Sequence, residues 1–185
     1  MSVKKMGDRH KVFISYHHKN DQYYRDQFEK ILTDTDIAVI RSVQIGEIDD
    51  QNLSDERIRQ IIRDQYLRDP TVTIVLIGTE TLNRKHVDWE IGSSIRRTEK
   101  NPRAGLLGIL LPGHPDYNTG KFTPGLIPPR LYDNVECGYA KIYNWTENSA
   151  SIQKWIHDAF ETRNQTNPDN SRPSYRRNHT GERWC

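Results

Sequence analysis

Five short apolar runs rich in β-branched residues divide the chain, and most segments between them carry apolar residues at helical spacing. Such alternation predicts a parallel sheet flanked by helices. Lys11-Val-Phe-Ile-Ser-Tyr16 reads as the first strand, with Asn20 capping a helix whose Tyr24, Phe28, Ile31 and Leu32 share a face. Ile37 to Val43 is the second strand. An acidic loop, Gln44 to Gln51, leads to a helix that starts at Asn52 or Ser54, turns Ile58, Ile61 and Ile62 inward, and stops at Asp69-Pro70. Thr71 to Gly78 is apolar or β-branched almost throughout, as expected of a strand covered on both faces, and belongs at the centre of the sheet.

The next helix is expected to begin near His86, and Gly105 to Leu111 forms the fourth strand, ended by Pro112. The prolines between Gly113 and Gly138 argue against a regular helix and predict a surface loop packed by its own Tyr117, Phe122, Leu126, Ile127 and Leu131. Ala140 to Trp145 is the fifth strand, and a last helix presents Ile152, Trp155, Ile156, Ala159 and Phe160 inward. Right-handed crossovers then give a doubly wound, flavodoxin-like α/β sheet of order 2-1-3-4-5, with a ligand crevice at the carboxyl ends of strands 1 and 3.

Length and composition refine this outline. The 185 residues fit one domain, placed at 11–163 between an N-terminal segment, 1–10, and a tail, 164–185, in which Arg172, Arg176, Arg177 and Arg183 stand among Asn, Ser and Pro. That tail is expected to be flexible and solvated. The 27 basic and 25 acidic residues are interspersed along the body, so nucleic acid is not an expected partner. Cys137 and Cys185 belong to no paired spacing, which suits a reducing compartment, and Cys137 is expected to be a small buried residue near strand 5. Met1 to His10 is polar, and no apolar run approaches the roughly 18 residues of a membrane span. A cytoplasmic protein without a membrane partner is expected.

The crevice collects Ser15, Tyr16, His17 and His18 after strand 1 and Thr79 through His86 after strand 3, with Glu90 near its rim. A phospho-acceptor receiver domain shares this topology, but its acidic cluster and terminal aspartate are replaced here by Tyr16-His17-His18 and Gly78-Thr79. Neither a phosphate-binding glycine loop nor a dinucleotide fingerprint follows strand 1. On a helical wheel Val87, Ile91 and Ile95 form the buried stripe, with Glu90 on its shoulder and Trp89 nearly opposite. Glu90 then reads either as a site carboxylate or as a solvated acid, and Trp89 either as a contact for a partner or as a residue covered by the proline-rich insert. His17 and His18 read as polar loop residues, since no further ligand stands at metal-site spacing. Ser15 has no base placed beside it by sequence and suits substrate binding better than nucleophilic attack. Arg41 is a candidate for a phosphate or for the acidic loop.

Two segments, Lys11-Val-Phe-Ile-Ser-Tyr16 and Arg84-Lys-His-Val-Asp-Trp-Glu-Ile91, resemble the TIR-like family, in particular the TIR-like proteins of bacterial Thoeris anti-phage defence. The resemblance implies a TIR-like fold over residues 10 to 163. It implies cleavage of the nicotinamide–ribose bond of NAD, which is substrate and not cofactor, and release of a cyclic ADP-ribose isomer that activates an effector protein once a phage-derived trigger is met. Glu90 matches the catalytic glutamate and Phe13 and Ser15 match residues lining the nucleotide site. Arg84 falls where many relatives carry a basic residue. Tyr16, Arg41, Thr79 and His86 complete the expected substrate-binding set, without a metal. The chain departs from the pattern at His86, where many catalytic TIR domains carry Trp, and places Trp89 beside the acid instead.

One carboxylate is chemically sufficient for that bond. Nicotinamide departs neutral and needs no proton, unlike the leaving oxygen of an ordinary glycoside, so a single Glu can stabilise the cationic ribose. Excluding water would favour cyclisation over hydrolysis, with the Gln44–Gln51 loop and the long insert as the available lids. The competing expectation is a catalytically silent TIR-like module that works by assembly, including self-association, through Trp89 and the acidic loop.

Overall fold

The computed structural model describes residues 10–40, 52–99 and 101–178. Arg41, the remainder of the second predicted strand and the Gln44–Gln51 loop lie outside the described residues. Five strands, β1 (Lys11–Ser15), β2 (Ala38–Ile40), β3 (Val72–Ile77), β4 (Gly105–Leu110) and β5 (Ala140–Asn144), form one sheet of order β2-β1-β3-β4-β5. Every neighbouring pair is parallel, with Ser15 opposite Val75 and Leu76 opposite Ile109. Both β3 and β4 are buried along their whole length, as their near-continuous apolar sequences require.

Helices cover both faces. Val12, Ile14, Ile74 and Leu76 point to the side packed by α1 (His18–Leu32) and α5 (Ser149–Gln165), where Phe28, Ile152 and Ile156 meet them. Val75, Ile77, Leu106 and Leu110 point to α3 (Lys85–Ser94) and α4 (Pro129–Glu136), packing on Val87, Ile91 and Leu131. Phe13 extends that second side, clustered with Trp89 and with Ile58 and Ile62 of α2 (Asp55–Ile61) and the π turn, Ile62–Tyr66, that continues it. Because side chains alternate along a strand, Ser15 shares the face of Phe13 and is aimed at α3.

Several expectations shift. His17, not Asn20, caps α1, its ring accepting from the Asn20 N–H at 3.2 Å. Ser54 caps α2, accepting from Arg57 N–H. The insert contains α4, because Pro128 and Pro129 sit at the start of the helix, where a missing N–H costs nothing. Its Ile127 and Leu131 are fully buried, whereas Phe122 is exposed. Cys137 is exposed, at the end of α4 just before Gly138, which takes φ +81°. Most of the tail that composition predicts as solvated is a strap: residues 167–178 run back over α3 and α4, and Tyr175 is buried. Among the described residues no helix is long and apolar enough to cross a membrane.

Candidate active site

Helix α3 presents two acidic residues inward, and their surroundings differ. Glu90 is 2% exposed and reaches the end of β1, where the Ser15 hydroxyl donates to Glu90 Oε2 at 2.5 Å. No basic side chain among the described residues forms an ion pair with it. Burial pushes its carboxyl up to about 8, while the bond from Ser15 acts in the opposite direction. At neutral pH the closed site therefore holds a largely protonated acid. Asp88, two residues earlier and also buried, instead receives a bidentate Arg130 guanidinium at 2.8 and 3.3 Å and the Tyr175 backbone N–H at 2.9 Å.

The other predicted residues are arranged around Glu90 unequally. Phe13 is fully buried against Trp89, forming the floor beneath the end of β1. Tyr16 is buried, donates to Gln22 Oε1 at 2.7 Å, and stacks on His18 with ring centres 4.3 Å apart. Its hydroxyl is held above its ordinary pKa chiefly by burial, and Glu90 is among the charges that add to this. Arg84 stands at the N-cap position of α3 without a side-chain capping bond, and His86 lies in the first turn, its ring 5.4 Å from that of Trp89. Burial, reinforced by His86, His17 and Arg84, lowers His18 to about 4, so these four groups form one basic rim in which His18 is neutral at pH 7. Thr79 is exposed on the loop after β3. Arg41 is outside the described residues.

Sequence inspection misses two features of this rim. Asp21, in the first turn of α1, is buried beside Thr81, whose hydroxyl lies 3.4 Å from Asp21 Oδ2 and accepts from Gly78 N–H at 2.9 Å. A Cβ at Gly78 would stand 2.4 Å from the same carboxylate oxygen, so the glycine leaves the room that the Asp21 carboxylate occupies at the end of β3. Burial raises Asp21 to about 6, against the Thr81 bond. The second feature is Trp89. Expected opposite the buried stripe, it is 1% exposed, because α2 with its π turn covers one side of α3 and the strap the other. Its indole N–H donates to the Tyr175 carbonyl at 2.7 Å. Only the Pro-Asn-Ser-Arg composition of residues 168–173 hinted at that strap, and it pointed the wrong way.

Helix, strand end and rim together form a dry carboxyl group at the carboxyl edge of a parallel sheet, the position where open α/β folds bind ligands. Such a group can stabilise a cation brought beside it, since a neighbouring positive charge favours the ionised acid.

No curated protein matches the chain. Among solved structures it is similar to the TIR domains of the activated Roq1 resistosome directly recognizing the pathogen effector XopQ, at 9% identity over 84% of each chain, with a TM-score of 0.38. The family model described as Thoeris protein ThsB, TIR-like domain, matches residues 13–116, more than half of the chain, from Phe13 through Glu90 to the start of the insert. With the end of β1, the crevice rim and α3 inside that match, the chain belongs to the Thoeris ThsB TIR-like domain family.

Proposed function

We propose that this chain is a cytoplasmic anti-phage enzyme that cleaves the nicotinamide–ribose bond of NAD and closes the product into a cyclic ADP-ribose isomer, the signal for a partner effector. The observation that carries this is Glu90: buried, bonded to Ser15 and without an ion-pair partner among the described residues. A buried acid left in that state is a stability cost, and such costs concentrate where a site needs them.

The chemistry follows from the carboxyl group. In the closed state it is protonated and covered, which suits an enzyme that must not drain NAD at rest. When NAD enters through the opened rim, the nicotinamide ring brings its own positive charge, lowering the pKa of the acid beside it, which gives up its proton to solvent, so substrate ionises the group that acts on it. The carboxylate then stabilises the ribosyl cation as neutral nicotinamide leaves. Phe13 would wall the base of the site, Ser15 would orient Glu90, and Arg84 would meet the pyrophosphate, with Tyr16, Thr79 and His86 along the rim. Arg41 is retained as a substrate-binding candidate. Because Glu90 is covered, entry requires the rim to open, and a phage-derived trigger acting through self-assembly is one means of opening it.

The test is incubation of NAD with lysate from phage-infected cells that express wild-type protein or Glu90→Gln, followed by mass spectrometry of small nucleotides. A product at the mass of cyclic ADP-ribose, absent with the variant, is expected. If Glu90→Gln retains defence while NAD is untouched in both lysates, a catalytically silent assembly module is the better account. Rapid NAD turnover by purified protein without infection would overturn the closed resting state.

A further inference from the structure

Helix α3 also borders a cleft at its other end. Its C-terminus and the connection to β4 lie at the amino edge of the sheet, away from Ser15 and the rim. There α2, α3 and the strap enclose a cleft of about 720 Å³, floored by Trp89 and walled on one side by Asn167, Asn170 and Ser174. Seven arginines line it against a single carboxylate, Glu56.

Four of those arginines are matched. Arg130 pairs with Asp88 and Arg172 with Asp133, while Arg59 and Arg63 pair with Glu56 and Asp64. The other three, Arg96, Arg97 and Arg103, form no ion pair among the described residues. Arg103 is nevertheless held in place, donating from Nε to the Arg163 carbonyl at 2.7 Å and from Nη1 to Asn167 Oδ1 at 3.1 Å. Its acceptors are neutral, so its charge remains available. Arg96 and Arg97 are exposed at the cleft mouth.

We infer that this cleft is a binding site for a small, multiply phosphorylated anion of nucleoside di- or triphosphate size. Three guanidinium groups that line one concavity without an ion-pair partner among the described residues concentrate positive charge there, and an anion with two to four charges is their natural complement. Neighbouring amides and hydroxyls supply further donors of the kind phosphate oxygens accept. The volume falls within the roughly 300–1,000 Å³ of small-molecule sites. The strap closes one side, where a nucleic-acid backbone would need an open stripe, and the chain as a whole carries only +2. The site uses neither Ser15 nor Glu90, so it stands or falls separately from the proposed NAD chemistry.

Calorimetric titration of the full chain with inorganic tripolyphosphate and with ATP, at fixed ionic strength near 150 mM, tests this. Both should bind wild type and Glu90→Gln alike. Arg96→Glu/Arg97→Glu, at two exposed positions, should weaken both by at least tenfold, and Arg103→Gln by severalfold. ATP binding more tightly than tripolyphosphate would add a nucleoside contact to the site, and equal affinities would assign it to phosphate alone. Heats absent for both probes, or unchanged in the arginine variants, would overturn the site. So would a DNA duplex that binds the same arginines more tightly than ATP, making the cleft part of a nucleic-acid surface.

Discussion

Asp88 and Glu90 stand two residues apart on one helix, both withdrawn from water, and the fold treats them oppositely. Asp88 is given Arg130, itself 2% exposed, and the Tyr175 N–H. Glu90 is given one hydroxyl and no ion pair among the described residues. The first arrangement is what a structural buried charge requires, because an ion taken out of water needs an opposite charge and further hydrogen bonds. The second leaves the acid largely neutral at pH 7 and ready to respond to a cation. Burial alone does not distinguish the two acids; the presence or absence of a charged partner among the described residues does.

The largest effect should come from breaking the paired side. Asp88→Ala leaves Arg130 buried without its carboxylate and the Tyr175 N–H without an acceptor, and about 3–5 kcal/mol of stability should be lost. Chemical denaturation of the variant checks this, and strap release should follow as faster proteolysis near Tyr175. A loss below about 1 kcal/mol would mean that the strap does not depend on this pair.

The unpaired side should respond with the opposite sign. Glu90→Gln removes a group whose folded pKa, about 8, stands above its ordinary 4.5. Between those values the folded protein holds a proton that the unfolded chain has released, so wild-type stability falls as pH rises through this window. The penalty is absent below about pH 4.5 and complete above about pH 8. The glutamine variant lacks it, and should be more stable than wild type by up to about 4 kcal/mol at pH 8, with the difference falling below about 1 kcal/mol toward pH 5. Equal stability across that range would mean that Glu90 is solvated in solution. If the NAD chemistry holds, kcat/KM should also rise with pH up to about 8, as the free enzyme ionises.

How far the sequence reaches follows the same division. Sheet order was legible because strands such as Val72–Ile77 are buried on both faces and announce themselves as continuous apolar runs. The contact of Ser15 with Glu90 was half legible: period-two alternation puts Ser15 on the Phe13 face, but a helical wheel leaves Glu90 on the shoulder of its stripe. What completes its burial comes from elsewhere in the chain. The strap was not legible, because it is latched by polar groups, Arg172 on Asp133 and Asn134 on the Asp169 carbonyl, with Tyr175 its one buried aromatic anchor. Composition scales read such a segment as solvated. For the same reason Trp89 could be read as a partner contact or as a residue under the proline-rich insert, but not as one buried by α2 and the strap: the wheel counts only the sheet, and α3 is covered on further sides.

The finest test of the contrast is Ser15→Ala. The serine hydroxyl is the partner the structure gives Glu90, and its bond favours the ionised form, opposing burial. Alanine should therefore raise the Glu90 pKa further, while the loss of one buried hydrogen bond costs about 1 kcal/mol. The two effects can be told apart by pH. A simple packing or bonding loss lowers stability by the same amount at every pH, whereas a raised pKa extends the falling limb of the stability curve beyond about pH 8 and moves the rise in kcat/KM to higher pH with it. Thermal unfolding from pH 5 to 9 distinguishes them, with Glu90→Gln/Ser15→Ala as the control in which the pH-dependent part must disappear. A uniform offset in Ser15→Ala, with no change in the pH limb, would show that the serine only fills space, and that the acid is tuned by burial alone.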